Sequence, residues 1–285
     1  MKAAACLIEG LRAAAAPGMR ASCVASFLGN TLKLLGPRGD RVLSNLARVY
    51  PESTDSWRRE VRSKLYEHLG WMLTEIFVLQ RDPKQALSWV EDVEGFEYVE
   101  EALSEKKGLL ILSGHYGNWE LFAAWYAQFL KPRGIDFYIV SQSTKDKDIA
   151  RLIEKYRRNA GIALLPKQTS TLEMVKLLKS GKQVAALSDI SWIDGVRLPF
   201  MGQICTNTTG PAVLSMLSGV NIVPAALYRK GPFRHKAKFL PPLAVPQEKD
   251  RKLRIELVTR NVNEALERLI SEQPELWFWL HNRWK

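Results

Sequence analysis

From residue 107 onward, short apolar runs alternate with stretches of helical composition, and that alternation leaves few folds open. The runs are Leu109–Leu112, Phe137–Val140, Val184–Leu187 and Ile222–Leu227. Between and after them lie the helical stretches Glu120–Leu130, Lys147–Asn159, Thr171–Lys179, Pro211–Leu217 and a closing Ile255–Ser271. A strand covered on both faces reads as a continuous apolar run, and parallel neighbours need a helical crossover between them. The expected fold is therefore α/β, with a largely parallel central sheet flanked by helices. Residues 1–80 read differently. They are helical throughout, interrupted at Pro17-Gly18, Pro37-Arg38-Gly39 and Pro51-Glu52-Ser53. Within Ser56–Leu79, the residues Trp57, Val61, Leu65, Leu69, Met72 and Ile76 form one helical stripe, for which core packing is a sufficient explanation. The expected division is a helical segment over 1–80 and an α/β domain over 81–285.

Ligands of open α/β sheets collect beyond the carboxyl ends of the strands. His115 directly follows the run Leu109–Leu112, and Asp189 follows Val184–Leu187 in the same way, so both are expected to line one crevice. Around His115 the sequence is Ser113-Gly114-His115-Tyr116-Gly117-Asn118-Trp119-Glu120. An imidazole that is neutral near pH 7 suits general-base work, and a carboxylate beside it can fix its tautomer and stabilise the imidazolium. Gly114 and Gly117 permit a tight turn, and Asn118 suits the N-cap of a helix beginning at Trp119. Within a regular helix, residues five apart splay by about 140°, whereas a loop-to-helix corner lets His115 and Glu120 converge. Taken alone, the spacing equally describes a capping histidine and a first-turn acid. Ser113 reads as a turn residue, since no Gly-x-Ser-x-Gly elbow is present, and Cys205 has no companion motif.

Hydrophobic residues make up 46% of the chain and charged residues 25%, which excludes a disordered chain or a many-pass membrane protein. Three cysteines without Cys-x-x-Cys spacing argue against a disulfide framework. Four scattered histidines, with no His-x3-His or His-Glu-x-x-His pattern, imply no metal site, and no cofactor is expected. The net charge of +11 is regional: residues 131–182 carry twelve Lys/Arg against five Asp/Glu, and residues 229–260 carry ten against three. Anionic lipid headgroups, an acidic carrier protein or nucleic acid would each suit such a surface, as would solvent alone. Nucleic acid is not expected, because no helix-turn-helix, zinc-finger or RNP-type pattern is visible. Nowhere do 18 or more apolar residues run without a charge; the best candidate for a spanning helix, Ala21–Leu32, stops at Lys33. Residues 1–16 mix Lys2, Glu9 and Arg12 with Ala and Leu, which suits either an amphipathic helix at a bilayer interface or a helix packed on the core.

The block Gly114–Glu120 resembles the His-x4-Asp/Glu motif of glycerolipid acyltransferases, and most of all the late lipid A acyltransferases. Further segments agree in order. Asn45-Leu46-Ala47-Arg48-Val49-Tyr50-Pro51-Glu52 resembles the family's Asn-Leu…Pro-Glu segment, and Gly195–Gly202 its Pro-Phe-Phe-Gly-like block. Thr206–Ala212 resembles its Thr-rich block, Ile222–Ala225 its Val-Pro strand, and Pro274–Lys285 its C-terminal signature. The resemblance implies transfer of a fatty acyl chain from acyl carrier protein or acyl-CoA to a hydroxyl of a membrane glycolipid, a lipid A precursor, without a covalent acyl-enzyme. It implies His115 as base and Glu120 as the carboxylate that orients it. Arg158 is the nearest match to the family's Arg block, with Arg157 as the alternative; either guanidinium would bind phosphate or carbonyl oxygen. Asp189 matches an Asp-Gln step in which Ile190 replaces the Gln. Arg197, behind the Asp194-Gly195 turn, would grip an acceptor phosphate. Thr208, with Thr206 and Thr209, would bind an anion at a helix start or simply cap it. Trp277, Phe278, Trp279 and Trp284 suit either the lipid interface or burial, and His281 is given no role for want of a local carboxylate. His68 and His235 lack supporting context. The expected location is the cytoplasmic face of the bacterial inner membrane, reached through the N-terminal helices and basic charge. Acylation of another glycolipid or a phospholipid is the alternative. A further one is a non-catalytic basic protein of membranes or carriers, against which the intact His115/Glu120 pair argues.

Overall fold

The computed structural model describes residues 19–141, 147–166, 168–191 and 194–284. The expected interfacial helix over 1–16 lies outside these residues. The described residues begin with three helices: α1 (Met19–Leu35), α2 (Gly39–Val49) and α3 (Asp55–Leu79). The breaks fall near the proline-containing turns, and the Thr54 hydroxyl starts α3 by accepting the Trp57 N–H at 3.2 Å. There follow α4 (Gln85–Trp89), β1 (Val90–Glu94), α5 (Glu97–Ser104), β2 (Leu109–Ser113), α6 (Trp119–Leu130), β3 (Phe137–Ser141) and α7 (Lys147–Asn159). Next come β4 (Ile162–Pro166), α8 (Thr171–Lys179), β5 (Gln183–Leu187), the hairpin β6 (Val196–Phe200) and β7 (Gln203–Asn207), and α9 (Gly210–Ser218). The chain closes with β8 (Ile222–Gly231), β9 (Arg234–Phe239) and α10 (Arg251–Glu272).

Among the described residues, seven strands form one sheet in the order β1-β9-β8-β2-β5-β3-β4. The pairs are parallel except for the β8–β9 hairpin. The expected α/β architecture with a mostly parallel sheet is thus present. The central strand β2 is buried at every position, and its side chains alternate between two cores. Leu110 and Leu112 join a core built with α3, α8, α9 and α10, whereas Leu109 and Ile111 join one built around α6. Helices therefore cover both faces, as a parallel sheet requires.

The strands that the apolar runs do not reveal are β1, β4, β6, β7 and β9. In β9 the buried His235, Ala237 and Phe239 alternate with Arg234, Lys236 and Lys238, so the period of two is masked by charge. Those cations are locally neutralised: Arg234 meets Glu91, Lys236 meets Asp92 and Glu94, and Lys238 meets Glu94 and Glu272. Among the described residues, no helix is long and apolar enough to cross a membrane. The helix α1 nonetheless exposes Phe27, Leu34 and Leu35.

Candidate active site

Strands β2 and β5 run side by side in parallel, with Ser113 opposite Leu187. The residues that leave their carboxyl ends therefore emerge together, and Ser188 continues the ladder by donating its N–H to the Ser113 carbonyl at 3.0 Å. One step further, Asp189 faces His115. The His115 ring Nδ1 lies 2.9 Å from Asp189 Oδ1, and the His115 backbone N–H donates to Oδ2 at 2.7 Å. A third donor, the Trp277 indole N–H, reaches Oδ2 at 2.8 Å. Asp189 is fully buried.

These contacts set the charges. Burial alone raises a carboxyl, but the His115 ring and the donors from His115 and Trp277 hold Asp189 well below the usual carboxylate range. Burial likewise opposes protonation of His115, yet the Asp189 carboxylate outweighs it, with a smaller contribution from Glu120, and its pKa is raised from 6.5. An ionised Asp189 holding Nδ1 fixes the tautomer and leaves Nε2 as the atom that can take a substrate proton.

Glu120 is placed differently from the expected orienting role. Its carboxylate is paired with Arg157, whose Nε donates at 3.0 Å and whose Nη2 completes a bidentate contact. The reason is local geometry. Asn118 caps α6 through its side-chain oxygen, which accepts the Leu121 N–H at 3.0 Å, so Glu120 sits in the first helical turn and points at α7 rather than back to the loop. The partner of His115 lies 74 positions along the chain, beyond the reach of a local motif. Arg157, not Arg158, faces the site. Arg158 is on the exposed side of α7 and pairs with Glu154 one turn earlier.

His115, Glu120, Arg157 and Thr208 line one cavity of about 390 Å³ between α6, the sheet and the start of α9. Its remaining wall is largely apolar and includes Phe122, Phe137, Ile139, Met174 and Leu214. Thr208 is half-buried, and its hydroxyl accepts the Gly210 N–H at 3.2 Å, a capping contact. Arg197 is exposed on β6 and does not line this cavity.

The C-terminal segment closes the site from the other side. The Phe278 N–H donates to the His115 carbonyl at 2.9 Å, and the Gly117 N–H donates to the Leu276 carbonyl at 3.0 Å. Trp277, Trp279 and Trp284 are buried rather than presented to a lipid interface. The ring of His281, centred 5.0 Å from that of His115, is kept neutral by burial and by that neighbouring imidazole, with its pKa down at about 4. The contributions of Trp277 and His281 to the site were not readable locally; their only sequence signal was membership of the aromatic C-terminal segment. Gly117 shows why the loop takes its shape. Its φ is +56°, and a Cβ there would lie 1.9 Å from the Leu227 carbonyl oxygen, so only glycine fits.

The chain is similar to the lipid A biosynthesis lauroyltransferase of Escherichia coli (strain K12), with 26% identity over 258 residues, 89% of this chain and 81% of that protein. It is also similar to the palmitoleoyltransferase of the same organism, 21% identical over 85% of this chain and 76% of that one. A phosphatidylinositol mannoside acyltransferase of Mycolicibacterium smegmatis (strain ATCC 700084 / mc(2)155) shares 23% identity over 49% of this chain and 46% of its own length. The profile of bacterial lipid A biosynthesis acyltransferases matches residues 6–285, so the chain belongs to that family.

Proposed function

We propose that the protein transfers a fatty acyl chain from a thioester, of acyl carrier protein or CoA, to a hydroxyl of a lipid A-like membrane glycolipid. The observation that carries this reading is the His115–Asp189 pair at the edge of an apolar cavity. The acceptor hydroxyl attacks the thioester carbonyl while His115 Nε2 takes its proton. The tetrahedral oxyanion then collapses, the carbon–sulfur bond breaks, and the imidazolium returns the proton to the leaving thiolate. Asp189 stays ionised and stabilises the imidazolium between the two steps. Glu120 and Arg157 form a charge-paired wall beside the reacting groups, with the guanidinium placed to meet a carbonyl or phosphate oxygen. The apolar wall suits a hydrocarbon tail, and its burial would exclude water that hydrolyses thioesters. Direct transfer requires no acyl-enzyme and no cofactor.

The similarity to a phosphatidylinositol mannoside acyltransferase supports a second acceptor class, the glycosylated phospholipids. Acting on either acceptor, the protein would work at a membrane surface, with the N-terminal segment 1–80 as its membrane-facing part and the cytoplasmic face of the inner membrane as its location. Much of the basic charge over 229–260 is already paired, and Arg229 is engaged by Glu75. Docking of an acidic carrier would draw on both basic stretches, 131–182 and 229–260.

The test is transfer of a radiolabelled lauroyl group, supplied on carrier protein or CoA, to a lipid A precursor and to a phosphatidylinositol mannoside in parallel. His115→Ala protein that retains the native circular dichroism spectrum should be slower by at least about 100-fold. Near-normal turnover by folded His115→Ala would refute the mechanism, and transfer to neither lipid by the wild type would refute the reaction.

A further inference from the structure

Behind the His115 loop, away from the cavity, the apolar core contains a cluster of charged and polar side chains that the chemistry above does not use. Glu75 on α3 is fully buried. Its Oε1 accepts from Arg229 Nη1 at 2.6 Å and His235 Nε2 at 3.0 Å, and its Oε2 accepts from Arg229 Nη2 at 2.7 Å and Asn118 Nδ2 at 2.9 Å. Arg229 also donates from Nε to His68 Nδ1 at 3.1 Å, which fixes the plane of the guanidinium. Burial and the facing Arg229 keep that imidazole neutral, with its pKa at about 3. Neither Glu75, Arg229, His235 nor His68 lines the cavity.

Such an ion pair is a poor way to stabilise a core. Taking both charges out of water costs several kcal/mol per ion, and well-packed apolar residues are often as stable or more so. What the cluster does provide is geometry. Asn118 is held at both ends: its oxygen caps α6 and its amide is anchored to Glu75. Three residues earlier, His115 is anchored in front to Asp189. Between them, Gly117 is seated against Leu227, two residues before Arg229 on the same strand. The loop is thus fixed at the front by the Asp189 carboxylate and at the back by the Glu75 carboxylate. Removal of the back anchor would leave the loop tied to one side only.

We propose that Glu75, Arg229 and His235 are positioning residues that act through Asn118 to hold the His115 loop in its reactive geometry. The proposal rests on the reading of His115 as the base. A misplacement of reacting groups by about 1 Å can cost about 100-fold in rate, so the anchor has a measurable effect without touching substrate.

Two variants of the full chain test it. Asn118→Ser keeps an oxygen to cap α6 but deletes the bond to Glu75. The double variant Glu75→Leu/Arg229→Met replaces the ion pair by apolar groups and leaves no uncompensated charge. For each, three quantities are measured: thermal midpoint, the downfield proton resonance of the His115 Nδ1–H···Asp189 bond, and lauroyl transfer with kcat and KM separated. The expected result is cooperative unfolding with a midpoint near wild type for Asn118→Ser and lowered for the double variant, which unpairs Asn118, His235 and His68, together with a broadened or shifted His115 resonance, and kcat lower by about 10-fold or more with KM little changed. A folded variant with the wild-type resonance and wild-type kcat overturns the proposal. If the double variant does not fold, Asn118→Ser decides alone. Because the resonance is read without substrate, wild-type protein that transfers no acyl group would overturn the function while leaving the positioning claim to be decided by the spectrum.

Discussion

At the scale of single residues, two carboxylates surround one histidine, and they should fail differently. Asp189 touches His115 and is the main reason that its pKa is raised. The base works when neutral, so kcat/KM of the wild type should climb with pH through a value above 6.5. Asp189→Asn removes the charge that favours the imidazolium and leaves burial, which disfavours it. The acid limb should therefore move to lower pH, while the plateau drops by about 100-fold or more because the wrong tautomer is no longer penalised. Glu120→Gln instead loosens Arg157 and should move the limb only slightly, since Glu120 is the smaller contributor. A pH–rate profile of both variants decides the matter; an acid limb unmoved in Asp189→Asn and displaced in Glu120→Gln would restore Glu120 as the orienting group. His115 was legible in the sequence because it follows the end of an apolar run. Its crevice-mate Asp189 was legible for the same reason, from the end of the neighbouring strand. Their hydrogen bond was not, because the adjacency of β2 and β5 is a property of sheet order, which no local pattern records.

At the scale of elements, the unexpected feature is that the two ends of the described chain clasp each other next to the site. Asn45 of α2 is buried and donates from one amide to two carbonyls, those of Trp279 and His281, both at 2.8 Å. Arg38 and Arg48, flanking it, donate to the carbonyls of Leu280 and Trp284. The C-terminal segment has little regular hydrogen bonding of its own, so α2 satisfies carbonyls that would otherwise be stranded. Asn45→Ala should leave the buried Trp279 carbonyl unpaired, at about 1–3 kcal/mol, and the part-buried His281 carbonyl at a smaller cost. Urea unfolding would measure the loss, and an unchanged midpoint would show that water replaces the amide without cost. Such a loss should also weaken the hold of Trp277 on Asp189. The helices α6 to α10 were readable to within a few residues, because their caps and apolar periodicity are local, whereas the short α4 and α5 were not read at all. The strands β1 and β9 were not, since lysines, arginines and acids on their solvated positions hide the alternation. The meaning of the Asn-Leu segment was hidden as well: its partner lies some 234 positions away.

At the scale of the whole molecule, the question is how a chain with these helices meets a lipid substrate. The helix α1 crosses α3 at a close contact, where a Cβ on Gly70 would come within 2.5 Å of the Ala25 carbonyl oxygen. Truncation of α1 would therefore uncover core side chains and confuse lost membrane contact with lost folding. The exposed face offers a cleaner experiment. Phe27, Leu34 and Leu35 are 54%, 87% and 72% exposed, so their replacement leaves the packed face untouched. Burial of each in a bilayer interface would contribute about 1.5–3 kcal/mol. The net charge of +11 adds attraction to anionic lipid that weakens with salt. Such terms act together, since neither alone gives firm anchoring. The triple variant Phe27→Ser/Leu34→Ser/Leu35→Ser should keep its thermal midpoint and float with anionic liposomes at least about 10-fold less than wild type. Its loss of binding should be larger still in high salt, where the electrostatic attraction is screened. Turnover on detergent-dispersed acceptor should persist while turnover on bilayer acceptor falls. Equal flotation of the triple variant and the wild type would show that the exposed apolar face of α1 is not the membrane-facing element.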